Sequence, residues 1–189
     1  MKKISQINDI LFRKLFKIEP SRDCELLYYP CQVLLENNEQ LDTVYVVEEK
    51  AYFKVWGVYP EDDPGKKSIS IERVEDIKES PYRLPAKLAN KMYKAGESGM
   101  GYCVFTLVMR NGDRLPFVTG DAVDFPNLPP NYSYKDIVDL LPHVGRDKLQ
   151  DKEHNWIRLP YTTSAEYFWC LFSKRTKGPF SFFNPRSLK

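Results

Sequence analysis

The chain has 189 residues and a formal charge of +2, from 28 basic and 26 acidic residues. Apolar residues make up 42% and charged residues 29%, which excludes a disordered chain, a collagen-like chain and a polytopic membrane protein. The near balance of charge also excludes a strongly basic nucleic-acid coat and an acidic solvating tail.

Ile4, Ile7, Leu11, Leu15 and Ile18 recur at steps of three and four, which predicts an amphipathic helix over 4–18. Ser5 is a candidate N-cap and Pro20 a stop. Phe12 and Phe16 widen the apolar stripe, and Lys2, Lys3, Arg13, Lys14 and Lys17 oppose Asp9 alone. The helix is expected to pack on its own domain. A partner-binding helix is the sharper reading, and a membrane-surface helix the weaker one.

Residues 26–80 read as sheet. Leu26 to Leu35 is one strand, Thr43 to Val47 a second and Tyr52 to Tyr59 a third, with Gly57 as a bulge. Glu61-Asp-Asp-Pro-Gly65 makes a tight acidic turn. Ile69 and Ile71 sit at strand spacing, whereas Val74 and Ile77 fall three apart, so that strand has no clear end. Short strands at intervals of roughly 10 residues argue for a meander curling toward a small barrel.

A helix follows, with Pro85 in its first turn, a stripe of Leu84, Leu88 and Met92, and Gly96 as its closing glycine. Tyr102 to Met109 is almost continuously apolar and predicts a central, buried strand. Asn111-Gly112 turns the chain back into Arg114 to Thr119, where Pro116 marks an edge or a bulge. Ser133 and Asp136 resemble a capping box ahead of Ile137 to Leu141, which predicts a short helix ended by Pro142. Residues 143–160 are polar and irregular, with Trp156 as an anchor. Thr163 and Glu166 form a second capping box, and a helix is expected over 164–175, although its aromatic run also fits a strand.

These elements predict an α+β fold: a curled antiparallel sheet or small β-barrel with N-terminal, inserted and C-terminal helices. The expected divisions are an N-terminal helix over 1–20, a compact domain over 21–175, and a basic, Phe/Pro-rich extension over 176–189.

Chemistry-bearing motifs are sparse. Four cysteines and two histidines show no zinc-ribbon spacing, so four reduced thiols are expected and no metal or cofactor. Lys2-Lys3 is followed by Ile-Ser-Gln-Ile-Asn-Asp rather than an apolar segment, and the longest fully apolar run, Tyr167 to Phe172, is too short to span a bilayer. A cytoplasmic location is the simplest expectation.

Gly96-Glu-Ser-Gly-Met-Gly101 lies between helix and strand, the reverse of a phosphate cradle. Met100 spoils the nucleophile elbow around Ser98. A flexible turn is expected there, with Gly96, Ser98, Gly99 and Gly101 as candidates for a ligand loop. Cys103 with His143 or His154 is formally a nucleophile–base pair, but an apolar strand favours an inert thiol. The carboxylate pairs Asp62/Asp63, Asp121/Asp124 and Asp136/Asp139 read as solvated turn residues. The second pair is the first place to look for an acidic site.

From residue 171 onward there are five cations and no acid. Lys174, Arg175, Lys177 and Arg186 alternate with Phe180, Phe182 and Phe183, a composition suited to an acidic protein groove or to unpaired bases. The functional expectation is a non-enzymatic protein-binding adaptor or accessory subunit, contacting its partner through these residues together with Phe12 and Phe16. The alternatives are binding of RNA or single-stranded nucleic acid, and a small hydrolase-type enzyme. Peripheral membrane contact is not expected.

Overall fold

The structure is a computed structural model and describes residues 4–120, 122–143 and 164–174. The described residues form a mixed α+β arrangement with three α-helices and two sheets.

The larger sheet is built from β1 (Ser21–Asp23), β2 (Leu26–Leu35), β3 (Gln40–Glu48), β4 (Lys67–Ser70), β5 (Val74–Glu79) and β9 (Phe168–Phe172). Its order is β1-β2-β3-β9-β4, and β5 pairs with β2 beyond the short β1 ladder. β9 runs parallel to both β3 and β4, which corrects the expectation of a purely antiparallel sheet.

No described ladder joins β4 to β5, so the expected barrel is not formed. The sheet is nonetheless bent. β4 and β5 lie at opposite edges, four strand spacings apart, or about 19 Å in a flat sheet. Only the 3₁₀ turn Ile71–Arg73 connects them, and four residues reach at most about 14 Å. The edges must therefore curve toward each other.

Both faces of the bent sheet are buried, and strand alternation sorts the side chains. Val44, Val46, Cys170 and Phe172 enter one core with Cys31 and Val33 of β2. Tyr45, Val47, Trp169 and Leu171 enter the other with Tyr28. The first core is covered by α1 (Asp9–Leu15), through Leu11 and Leu15, with Ile7 and Ile18 from its flanks. The second is covered by α2 (Glu49–Trp56), α3 (Ala86–Ala95) and the three-stranded sheet β7-β6-β8. Those strands are β6 (Cys103–Met109), β7 (Arg114–Thr119) and β8 (Ile137–Pro142).

Burial on both faces explains the largest correction. The expected C-terminal helix over 164–175 is instead the strand β9. A strand covered on both sides reads as a continuous apolar run, with no alternation to betray it.

Two further expectations fail. The strand expected over 52–59 is the helix α2, which Glu48 opens by accepting from the Ala51 N–H and Gly57 closes in the left-handed region at φ 68°. Gly57 is thus a helix cap and not a bulge. The short helix expected from Ser133 is a single 3₁₀ turn, Tyr134–Asp136, that leads into β8.

α1 is shorter than the 4–18 stripe. Asn8, rather than Ser5, caps it by accepting from the Leu11 N–H. The inserted helix, the buried central β6, the Asn111-Gly112 hairpin and the edge position of Pro116 are as expected.

Candidate functional site

The glycine-rich turn after α3 spends its polar groups on itself. Ser98 Oγ accepts from the Val104 N–H at 2.8 Å and donates to the His143 carbonyl at 2.8 Å. It thereby ties the turn to β6 and to the end of β8. The Glu97 carboxylate accepts from the Gly101 N–H at 3.0 Å. Gly96 and Gly101 hold φ of 80° and 77°, a conformation that side chains resist. Gly99 lies against the Tyr102 ring, where a Cβ would collide with it.

Gly101 and Tyr102 form one wall of a groove of about 530 Å³ between the two sheets. The end of β7, from Val118 to Gly120, continues that wall. Gly65 to Lys67 and Ser164 to Tyr167 line the opposite side. One member of the proposed ligand loop therefore reaches a cavity, while Ser98 is buried in structural hydrogen bonds. Lys67 pairs with Glu166 along that side.

Lys66 turns inward. Its Nζ lies 4.2 Å from the centroid of the Trp56 ring, 5.5 Å from Tyr52 and 5.8 Å from Trp169. It donates to the Tyr52 hydroxyl at 3.0 Å and pairs with Asp63 at 3.3 Å. The Gly65 N–H and Lys66 together hold the Asp63 carboxyl below its ordinary range. Burial, reinforced by the nearby Asp63 charge, pushes the Tyr52 phenol up. Sequence reading missed this cluster because its members come from α2, the 63–66 turn and β9. The Asp63-Pro-Gly65 turn was its only local sign.

The remaining polar centre lies deeper. Asp124 is fully buried and accepts from the Tyr93 hydroxyl at 2.7 Å and from Ser21 Oγ. Arg83 Nη2 stands 3.8 Å from it. Arg83 also donates to the Glu19 carbonyl at 2.9 Å and the Leu84 carbonyl at 3.2 Å. The Asp124 N–H donates to the Tyr45 hydroxyl at 3.1 Å. Burial raises the Asp124 carboxyl above its ordinary range, with Arg83 and the three hydroxyls opposing the rise. The cluster clasps the entry to β1, the 80–85 connector, α3 and the loop before Phe125. Its partner in the sequence-predicted pair, Asp121, lies outside the described residues.

The Cys103–His143 pairing is separated by the pleat. Cys103 enters the core with Phe105 and Leu107, whereas the His143 ring meets Thr106 at 2.7 Å on the other face of β6. Asp139 pairs with Lys91 at 2.8 Å, and Asp136 with Arg110 at 3.4 Å. Asp62 ends a 3₁₀ turn. Among the described residues, no group of three or more His, Cys, Asp or Glu side chains converges as metal ligands do, and no helix is long and apolar enough to cross a membrane.

Of the proposed partner-binding residues, Phe12 is half-buried, with its ring centroid 4.4 Å from that of the tilted Phe16 ring and 6.4 Å from that of Phe172. Phe16, the C-cap of α1, keeps 44% exposure, and Ile10, in its first turn, keeps 69%. Lys174 is exposed just beyond β9. Arg175, Lys177, Phe180, Phe182, Phe183 and Arg186 lie outside the described residues, as does His154.

No protein-family description, curated protein or solved structure matches this chain.

Proposed function

We propose that this chain is a non-enzymatic protein-binding module, an accessory subunit of a larger assembly, and that α1 contributes to its contact surface. The observation that carries the reading is the outward face of that helix. The stripe Ile7, Leu11, Leu15 and Ile18 is consumed by the core, yet Ile10 and Phe16 still project into solvent beside Arg13 and Lys17. Large exposed apolar groups with Arg13 and Lys17 near them suit a partner surface with an apolar pocket. Ser98 and Asp124, the best-placed residues for chemistry in the sequence, support the reading by their engagement in holding the fold.

The test is the native size of the untagged chain in a gentle host extract, with and without nuclease, compared with the Ile10→Ser/Phe16→Ser variant. The expected result is a nuclease-resistant particle well above 22.2 kDa that the double variant leaves without losing thermal stability. Elution of the wild-type chain at its own mass refutes the proposal. Collapse on nuclease treatment replaces it with nucleic-acid binding.

A further inference from the structure

We infer that the box formed by Tyr52, Trp56 and Trp169 is an alkylammonium-binding site that Lys66 fills in the ligand-free chain. The Trp56 ring at 4.2 Å, the Trp169 ring at 5.8 Å, the Tyr52 hydroxyl at 3.0 Å and the Asp63 carboxylate at 3.3 Å converge on a single Nζ. That is the chemistry by which proteins hold ammonium groups: ring quadrupoles attract the cation and a carboxylate balances its charge. Tyr52 and Trp169 are almost completely buried, so the attraction acts out of water, where it is strongest.

Two features make the box a site rather than only a fastening. First, Lys66 sits on the wall of the 530 Å³ groove, so withdrawing its side chain opens the box directly into a cavity able to hold the rest of a ligand. Second, the backbone of the lysine is fixed independently of its charge. The Lys66 N–H donates to the Asp63 carbonyl at 3.0 Å, and the Gly65 N–H donates to Asp63 Oδ1 at 3.0 Å. Rotation of one flexible side chain then vacates the box without unmaking the turn.

The charges around the groove oppose an anionic ligand. Lys66 is balanced by Asp63 and Lys67 by Glu166, so neither cation is left over for a phosphate. Ring faces and the Asp63 carboxylate remain to recognise a ligand, and they select a cation. A quaternary or methylated ammonium fits best, because it sheds water more readily than the primary ammonium of Lys66.

The resident lysine weakens binding by the fraction of time it occupies the box, since apparent affinity scales with the competent population. Removing it strengthens binding by the same factor.

The probe is choline, with 3,3-dimethylbutan-1-ol as an uncharged analogue of the same shape. The readout is the set of tryptophan indole resonances in ¹⁵N spectra, assigned by single Trp→Phe variants. Lys66→Ala is expected to bind choline at least tenfold more tightly than the wild type, with shifts at Trp56 and Trp169. Lys66→Met, which refills the box with an uncharged chain, and Lys66→Ala/Trp56→Ala are expected to lose that gain. Equal response to the neutral alcohol, or no gain in Lys66→Ala, overturns the assignment. If Lys66→Ala does not fold, the wild-type chain decides the question. The ring-shifted ε-protons of Lys66 move to solvent values as choline saturates the box, and failure to move also overturns it.

Discussion

Asp124→Ala is the sharpest test of how the fold is held. Both members of the buried pair are almost without solvent contact, at 3% for Arg83 and 0% for Asp124. Deleting the carboxylate leaves the buried guanidinium with only the exposed Glu79 carboxylate, 3.8 Å away, as a counter-charge, and takes an acceptor from Tyr93 and from Ser21. Breaking one side of a buried ion pair costs about 3–5 kcal/mol. The hydroxyl losses share the same site and do not simply add. In a chain of this size each kcal/mol is worth roughly 2–4 °C, so the melting temperature should fall by roughly 6–20 °C. Differential scanning calorimetry measures this directly.

The same reasoning makes a second, less intuitive demand. Arg83→Met/Asp124→Leu removes both charges and refills the volume, so it should be more stable than Asp124→Ala alone. A loss below about 1 kcal/mol for Asp124→Ala, or a double variant worse than the single one, would show that the clasp does not carry buried charge as described. The pH dependence has a definite sign. Because the folded-state carboxyl is raised above its ordinary value, its contribution to stability is complete at acid pH. It is lost as pH rises through the folded value.

Asp76 has the opposite sign. Lys14 holds its carboxyl below the ordinary range across a 2.6 Å pair that fastens α1 to β5. Asp76→Asn should cost about 0.2–1 kcal/mol near neutrality. Urea titrations should show the gap from wild type closing as pH falls through the lowered folded value. Gly101→Ala places a side chain at φ 77° and should cost about 1–2 kcal/mol, read as a drop in the urea midpoint. Of the four cysteines only Cys24 is exposed, and burial pushes the Cys170 thiol up to about 12 and the Cys31 thiol well up. Titration of the folded chain with a disulfide reagent should therefore yield one fast thiol, and denaturant should release the other three.

What the sequence disclosed depended on whether the deciding interaction was local. α3 announced itself through Pro85, its apolar stripe and Gly96, and the hairpin through Asn111-Gly112, because caps and turns are written in neighbouring residues. α1 was legible as a stripe. Its true start was not, since Asn8 and Ser5 are equally good capping types and only the pairing of residues 5–7 with Ser173 keeps the earlier segment extended. α2 was missed because Tyr52, Phe53, Val55 and Trp56 are residues that favour strands. The position of Gly57 and the Glu48 cap outweighed that preference. β9 was hidden by burial on both faces. The ammonium box was out of reach, since Trp169 lies more than 100 residues beyond Tyr52, Trp56 and Lys66 in the chain, while the glycine turn stood out more than its self-satisfied geometry warrants.

The place of β9 also sets a timetable for folding. β3 can pair with β2 as soon as both are made, but its other edge, and the ladder of β4, wait until residues 168–172 arrive between them. At about 5–20 residues per second of synthesis, that wait lasts roughly 5–20 s after β4 is made. During it, the apolar inner edges of β3 and β4 lack their partner strand, and the aromatic stack that Trp169 joins with Tyr28, Tyr45 and Tyr52 has no centre. The β3-β9-β4 part of the sheet is thus withheld until β9 has been made. Such a late-closing, non-local sheet folds slowly and exposes sticky edges while it waits.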